Sequence, residues 1–287
     1  MALAARVRVP ASVGQQEGFA MNYQKIRLEI ADGIAVITLA QPANMNALSI
    51  PLQQELRHAL AAVAAQAETG EARALILTGS GRAFCSGADL SGMASVGEGE
   101  TLGQGAARMM RELTNPIIED LQQLPVPVVA AVNGAAAGAG VSLALAADIV
   151  LAGRSAYFLL PFMPNLGIVP DLGATWMLPR LIGRARSMGL ALLGDRLPAE
   201  RAAAWGLIWE CVDDDALMGQ ARALAERLAQ APAHAALEVR RAFAVADRSD
   251  LTAQLEYEAA RQQVLIDKDS FREGVRAFLE KRKPNFR

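Results

Sequence analysis

Two loop-to-helix junctions and one carboxylate are the places where residue type and spacing in this chain could carry chemistry. The first junction is Ala83-Phe84-Cys85-Ser86-Gly87-Ala88-Asp89-Leu90, and the second is Asn133-Gly134-Ala135-Ala136-Ala137-Gly138-Ala139-Gly140. Small residues let a ligand approach the main chain, and a helix N-terminus presents N–H groups that no helical carbonyl takes up. Two such groups aimed at one point make an oxyanion hole, which stabilises charge developing on a carbonyl oxygen. Taken one at a time, each junction also reads as a tight strand-to-helix connection. The carboxylate is Asp171, in Gly167-Ile168-Val169-Pro170-Asp171-Leu172-Gly173. Its local reading is a helix N-cap, because Asp after Pro at the head of a helical pattern accepts from first-turn N–H groups.

Other chemistries lack their residues. The 287 residues include two His (His58, His234) and two Cys (Cys85, Cys211). So small a set gives poor support to a disulfide framework, a Cys/His zinc site or a His-assisted triad, and no metal site is expected. His58 and His234 read as surface or packing residues. Cys85 reads as a space-filler beside Phe84, with no His placed to activate it. Three residues after Gly140 stands Leu143, not the third glycine of a dinucleotide fingerprint, and neither a phosphate loop nor a Gly-x-Ser-x-Gly elbow occurs. Lys plus Arg is 28 and Asp plus Glu is 30, a net charge of −2. Such a balance gives no electrostatic footprint for nucleic acid or an anionic membrane.

The elements that must position these residues are an α/β alternation followed by helices. Ile26 to Ile30 and Ile34 to Leu39 read as a hairpin, and a helix capped by Ser49 or Asn46 carries Leu52, Leu56, Leu60 and Val63. Ala74 to Thr78 is a strand, and the Gly-rich Ser91 to Gly105 reads as mobile before a helix over Ala106 to Leu124. The stretch Leu121 to Ala147 has no charge, but Pro125, Pro127, Asn133, Gly134 and three further small polar or glycine residues interrupt it. It reads as a buried strand (Val126 to Val132), a turn and a buried helix, not a membrane span. Strands follow at Ile149 to Ala152 and near Ala156 to Phe158, then an extended Pro161 to Pro170 and a helix from Asp171. Helices are expected at Ala185 to Leu193 and Ala199 to Trp205, then a strand at Leu207 to Val212. From Asp215 on, the pattern is helical through Lys281. The expected organisation is a flexible extension over 1–20, an α/β core over 21–212 and a helical region over 213–287. Without an apolar run before Pro10 a secretory signal is not expected, and the default location is cytoplasmic.

Read together, the junctions resemble the enoyl-CoA hydratase/isomerase (crotonase) superfamily. The resemblance runs through Asn44-Met45-Asn46-Ala47-Leu48, Arg82 to Leu90, Pro127 to Gly134, Gly138-Ala139-Gly140, Ala147-Asp148-Ile149, Leu178-Pro179-Arg180 and Phe278 to Pro284. It implies an α/β spiral of stacked ββα units, a C-terminal helical trimerisation region and an acyl-CoA thioester as ligand. Coenzyme A then arrives as part of the substrate, and no separate cofactor is implied. The resemblance places the thioester oxygen on the main-chain N–H groups of Ala88 and Ala139. It implies coenzyme A contacts from Met45, Ala47, Ala88, Asp89 and Leu90, with Lys281 near a phosphate. It also implies a homotrimer or a dimer of trimers.

Hydratases of this superfamily add water with two glutamates. Here one position is Ser142 and the neighbourhood of the other is Phe162-Met163-Pro164-Asn165. Water activation lacks its usual acid and base. In several isomerases, and in a CoA dehalogenase, the family's working aspartate stands where this chain has Asp171. One carboxylate suffices to move a proton from one carbon to another, provided apolar lining raises its pKa from about 3.9. Phe84, Phe158, Phe162, Met163 and Trp176 are candidates for that lining. The dehalogenase reading needs a His base, and Asn115 stands at the corresponding helix. The resemblance thus implies an acyl-CoA isomerase acting on an epoxyphenylacetyl or Δ3-enoyl thioester. A hydratase with an atypical site and a non-catalytic acyl-CoA scaffold are the alternatives.

Overall fold

The computed structural model describes residues 22–89 and 99–286. The expected extension over 1–20 lies outside the described residues, as do Leu90 and most of the segment expected to be mobile.

The chain opens with a hairpin, β1 (Ile26–Ala31) and β2 (Ile34–Leu39), joined by Asp32 and Gly33 at φ 54° and 81°. Positive φ at both residues matches the twist of the flanking strands. Ser49 caps α1 (Ile50–Glu68), its side chain accepting from Leu52 N–H, with Pro51 in the first turn. Then strands come in pairs. β3 (Ala74–Gly79) is followed by β4 (Ala83–Cys85), β5 (Val128–Val132) by β6 (Ala135–Ala137), and β7 (Ile149–Gly153) by β8 (Tyr157–Leu159). The first member of each pair joins a six-stranded sheet of order β1-β2-β3-β5-β7-β10, parallel except at β1, with β10 at Glu210–Val212. The second member joins a four-stranded sheet, β4-β6-β8-β9, with β9 at Leu197–Pro198. Between the pairs run α2 (Leu102–Met109), a π-helical turn (Met110–Thr114), α3 (Asn115–Gln123) and α4 (Ala139–Leu145); α5 (Ala174–Leu193) and α6 (Ala199–Trp205) follow β8. The result is the expected spiral of ββα turns.

The side chains of the large sheet alternate between two cores. Ala35, Ile37, Leu39, Leu75, Leu77, Val128, Ala130 and Val132 face the helices and the small sheet. Ile34, Val36, Ala74, Ile76, Val129 and Ala131 face α7 (Leu217–Ala229), which answers with Leu217, Ala221 and Ala225 at four-residue spacing. Strands buried on both faces read as unbroken apolar runs, which is why β3 and β5 are visible in the sequence.

Three local expectations change. α2 starts at Leu102, four residues before the expected helix, on a capping box in which Thr101 and Gln104 satisfy each other's main-chain N–H. Residues expected to be extended after Pro161 form a second π-helical turn, Phe162–Leu166. The stretch read as a long strand ending at Val212 pairs only over Glu210–Val212. The uncharged segment from Leu121 breaks into the end of α3, two strands and α4, and no helix among the described residues is long and apolar enough to cross a membrane.

Beyond α7 lie α8 (Ala235–Ala246), α9 (Leu251–Ile266) and α10 (Asp269–Leu279). Arg240 of α8 ties them to the spiral, donating to Asp148 Oδ1 at 2.6 Å and Oδ2 at 2.5 Å and to the carbonyls of Leu124 and Val126. Phe243, Leu251, Leu255 and Phe278 stay exposed on the single chain.

Candidate active site

The two junctions meet because two glycines let them. Gly87 has φ 93°, and a side chain on it would begin 2.7 Å from the Ala137 carbonyl oxygen and 3.1 Å from Ala139 N. A side chain at Gly140 would run into the Cys85 carbonyl. Only glycine allows main chain to approach main chain this closely. The loop before α1 closes the arrangement from the other side. Ser86 N–H donates to the Met45 carbonyl at 3.0 Å and Leu48 N–H to the Gly87 carbonyl at 2.8 Å, and Leu48 pairs with Ala88 as an isolated parallel bridge. Asn46, offered by the sequence as an alternative helix cap, is fully buried instead. Its amide donates to the carbonyls of Ser80, Ala83 and Phe84, and its oxygen accepts from Gln41 N–H. That bracing fixes the strand leading into Ala88. Sequence reading did not see this role, although Asn46 stood inside a quoted motif.

A cavity of about 230 Å³ opens at this meeting point, and Ala88, Ala139 and Asp171 all line it. Among the described residues neither the Ala88 N–H nor the Ala139 N–H meets an acceptor. Asp89 lines the cavity too, whereas Met45 and Ala47 sit in the loop zipped to it and Lys281 lies past the end of α10, outside the lining. Leu90 is outside the described residues.

Asp171 is not the cap of α5. That helix starts three residues later, with Gly173 at the cap position and no side-chain cap bond. Leu172 and Gly173 both have positive φ, at 48° and 83°, so the chain reverses between Asp171 and the helix. The Asp171 carbonyl accepts from Ala174 N–H and from Ser142 Oγ, each at 2.9 Å. Its carboxyl Oδ1 is buried with no donor among the described residues. Burial pushes this carboxyl up from 3.8 to about 6, a rise only partly offset by its own main-chain N–H. A group poised there can take and return a proton near neutral pH.

The apolar wall differs from the expected one. Phe84 and Phe158 are core residues, Phe162 packs near Gly138, and Met163 and Trp176 are exposed. None of the five lines the cavity. Leu48, Ile50, Pro51, Ala106, Met109, Met110 and Leu172 do. Several of these come from α2 and its π-helical turn, whose start the sequence reading placed too late. The Thr101-x-x-Gln104 spacing was the available signal. His58 bonds Tyr23 Oη through Nδ1 at 2.9 Å, away from the cavity. Cys85 is buried and its thiol is pushed up to about 12 by that burial, so it holds its proton and packs. Among the described residues no three His, Cys, Asp or Glu side chains gather as metal ligands.

The spiral is shared by solved crotonase-type enzymes. A crystal structure of an enoyl-CoA hydratase/isomerase from Cupriavidus metallidurans matches with a TM-score of 0.83 at 33% identity, over 93% of this chain and 97% of that one. Residues 29–287 match the enoyl-CoA hydratase/isomerase family model, and the chain belongs to that family. It is 48% identical over 266 residues to a protein of Rhodobacter capsulatus named a probable enoyl-CoA hydratase, covering 93% of this chain and 99% of that protein. It is 43% identical over 260 residues to the 1,2-epoxyphenylacetyl-CoA isomerase of Escherichia coli, covering 90% and 96%.

Proposed function

We propose that this chain is an acyl-CoA isomerase, acting on 2-(1,2-epoxy-1,2-dihydrophenyl)acetyl-CoA, on Δ3-enoyl-CoA, or on both. The observation that carries this is Asp171, a half-buried carboxyl raised to about 6 in the cavity that Ala88 and Ala139 also line. Ser142 occupies one of the places where the resemblance puts a hydratase's glutamates, and the neighbourhood of the other, Phe162-Met163-Pro164-Asn165, has no carboxylate. The 43% identity to a 1,2-epoxyphenylacetyl-CoA isomerase supports the same reading.

In the enoyl shift, Asp171 removes a proton from the carbon next to the thioester. The C–H electron pair moves into the carbonyl, and the main-chain N–H groups of Ala88 and Ala139 hold the resulting enolate oxygen. Collapse of the enolate moves the double bond into conjugation, and protonated Asp171 returns the proton at the far carbon. Removing one donor from such a hole raises the barrier by about 2.7–4 kcal/mol. With an epoxide, the same donors hold the thioester while Asp171 assists ring opening and rearrangement. Main-chain groups of Met45, Ala47, Ala88, Asp89 and Leu90 hold coenzyme A, and Lys281 meets a phosphate as a point charge. The exposed apolar residues of α8 to α10 are where a homotrimer, alone or doubled, is built, and the enzyme works in the cytoplasm.

The 48% identity to a probable enoyl-CoA hydratase favours a second reading, hydration of a 2-enoyl-CoA. Assaying the purified chain on 3-hexenoyl-CoA, epoxyphenylacetyl-CoA and crotonyl-CoA separates the two. Isomerisation of either of the first two, at least a hundredfold faster than hydration of the third, is expected. Fast hydration with no isomerisation overturns the proposal. No turnover on the whole set indicates a binding scaffold.

A further inference from the structure

Four hydroxyl side chains are buried among the described residues, those of Thr78, Thr114, Ser142 and Ser187. Three of them donate to main-chain carbonyls: Thr78 to Ala131 at 2.7 Å, Ser142 to Asp171 at 2.9 Å and Ser187 to Gly183 at 2.8 Å. Thr114 makes no such bond among the described residues. It closes the π-helical turn and stands at the cap position of α3, with no side-chain cap bond. A helical threonine can give its hydroxyl to the carbonyl four residues back, but here the Met110 carbonyl accepts from Asn115 N–H. Thr114 is 8% exposed and lines the cavity together with Ala88, Ala139 and Asp171. Its hydroxyl is not sealed in the way that Gln53 Oε1 is, so it shares in the little surface the residue keeps, which is cavity wall. The other polar side chains of the lining are spent or of the wrong kind. Ser49 Oγ donates to Gln41 Oε1 and Gln53 Nε2 to the Leu48 carbonyl, while the carboxylates of Asp89 and Asp171 are acceptors. Thr114 Oγ1 is thus the side-chain donor that the fold leaves to a ligand, at a place where valine would fill the same space without one.

We infer that Thr114 is a specificity-determining residue whose hydroxyl donates to an oxygen on the ring of the acyl group, the epoxide oxygen of the proposed substrate. In the proposed site the thioester oxygen is already held by the N–H groups of Ala88 and Ala139, and a Δ3-enoyl chain carries no second acceptor. An epoxidised ring carries one. Of the two substrate types proposed, Thr114 therefore favours the epoxide. The neutral hydroxyl holds that oxygen without giving up its proton, so it takes no part in proton transfer. A site that hydrogen-bonds a substrate group rejects the analogue lacking it more strongly than an apolar pocket rejects a methylene. This inference rests on the cavity being the acyl pocket of the proposed isomerase, but it does not depend on Asp171 being the base.

The test is direct binding of a matched saturated pair, (1,2-epoxycyclohexyl)acetyl-CoA and cyclohexylacetyl-CoA, to the full-length protein by titration calorimetry. Neither ligand has the ring double bonds that the rearrangement needs. The ratio of the two affinities, epoxide over plain ring, is expected to fall about tenfold from wild type to Thr114→Val, which corresponds to roughly 1.4 kcal/mol. In Thr114→Ser, which keeps the hydroxyl, the ratio is expected to stay within about threefold of wild type. Thr114→Ala takes the place of the valine variant should that fail to fold. An unchanged ratio in the folded variant overturns the inference, whether the two affinities hold or fall together, and so does a serine variant that behaves like valine. Absence of binding of either ligand to wild type overturns it too, because the cavity is then no acyl pocket. Failure of the isomerase reading shows up instead in turnover, with the ratio and its dependence on Thr114 intact.

Discussion

Ser142 Oγ donates a 2.9 Å hydrogen bond to the main-chain carbonyl of Asp171. Ser142 is fully buried on α4, the helix whose first residue is Ala139. One short helix thus carries a proposed oxyanion donor and holds the loop of the proposed base. The same loop has Leu172 at φ 48°, an uncommon conformation for a residue with a side chain, so it needs such support.

Ser142→Ala is therefore expected to lower kcat about tenfold with KM changed less than twofold, since acyl-CoA binding is untouched. Loosening the loop admits water to Asp171, so the acid limb of the pH profile is expected to move to lower pH. Steady-state kinetics from pH 5 to 8 on wild type and variant check both. A kcat loss with an unmoved pH limb would mean that Ser142 acts on the fold alone.

The pH dependence of wild type follows from the sign of the Asp171 shift. The base form fills as pH rises through about 6, so kcat/KM is expected to climb with unit slope below that pH and level off above it. Stability runs the other way. A carboxyl raised in the folded state favours folding in its protonated form, a contribution present below about pH 4 and lost as pH rises through about 6. Asp171→Asn is expected to be more stable than wild type at pH 8, by roughly 1–2 kcal/mol after allowing for the cavity's access to solvent. Urea unfolding of both proteins at pH 5 and pH 8 measures the difference.

Gly87→Ala puts a methyl group 2.7 Å from the Ala137 carbonyl oxygen at a backbone φ of 93°. The loops must part, and the two N–H groups with them. A kcat loss of about 10² to 10³ is expected, the size seen when one oxyanion donor is removed. Circular dichroism and kinetics together distinguish this from unfolding.

Arg240→Ala removes a nearly buried guanidinium and leaves Asp148, which also accepts from Val128 N–H at 2.7 Å, without its counter-charge. A loss of about 2–4 kcal/mol in unfolding free energy is expected, with the melting of α8 preceding that of the sheet. Hydrogen exchange resolved along the chain follows that order.

Much of the fold is legible in the sequence. β3 and β5 are apolar runs flanked by turn residues, and Ser49 with Pro51 marks the head of α1. β4 and β6 were not legible as strands. Each is three residues long, too short to show a period of two. The Ala88 and Ala139 N–H groups have no side-chain signature, so only family motifs could point to them. Asp171 looked like a cap because Pro170 precedes it; the positive φ of Leu172, which no residue type announces, takes it out of that role. Phe84, Phe158, Phe162, Met163 and Trp176 are the sequence's candidates for the apolar wall, and none of them lines the cavity. Burial in the core claimed Phe84 and Phe158, while Met109, Met110 and Gln53 took their place at the site.

Turnover by Asp171→Asn bears most directly on the central claim. With 3-hexenoyl-CoA and epoxyphenylacetyl-CoA as substrates, loss of Asp171's proton transfer should reduce kcat by about 10² to 10⁴, with binding of the thioester retained. Turnover of both substrates at the wild-type rate by the folded variant would contradict it.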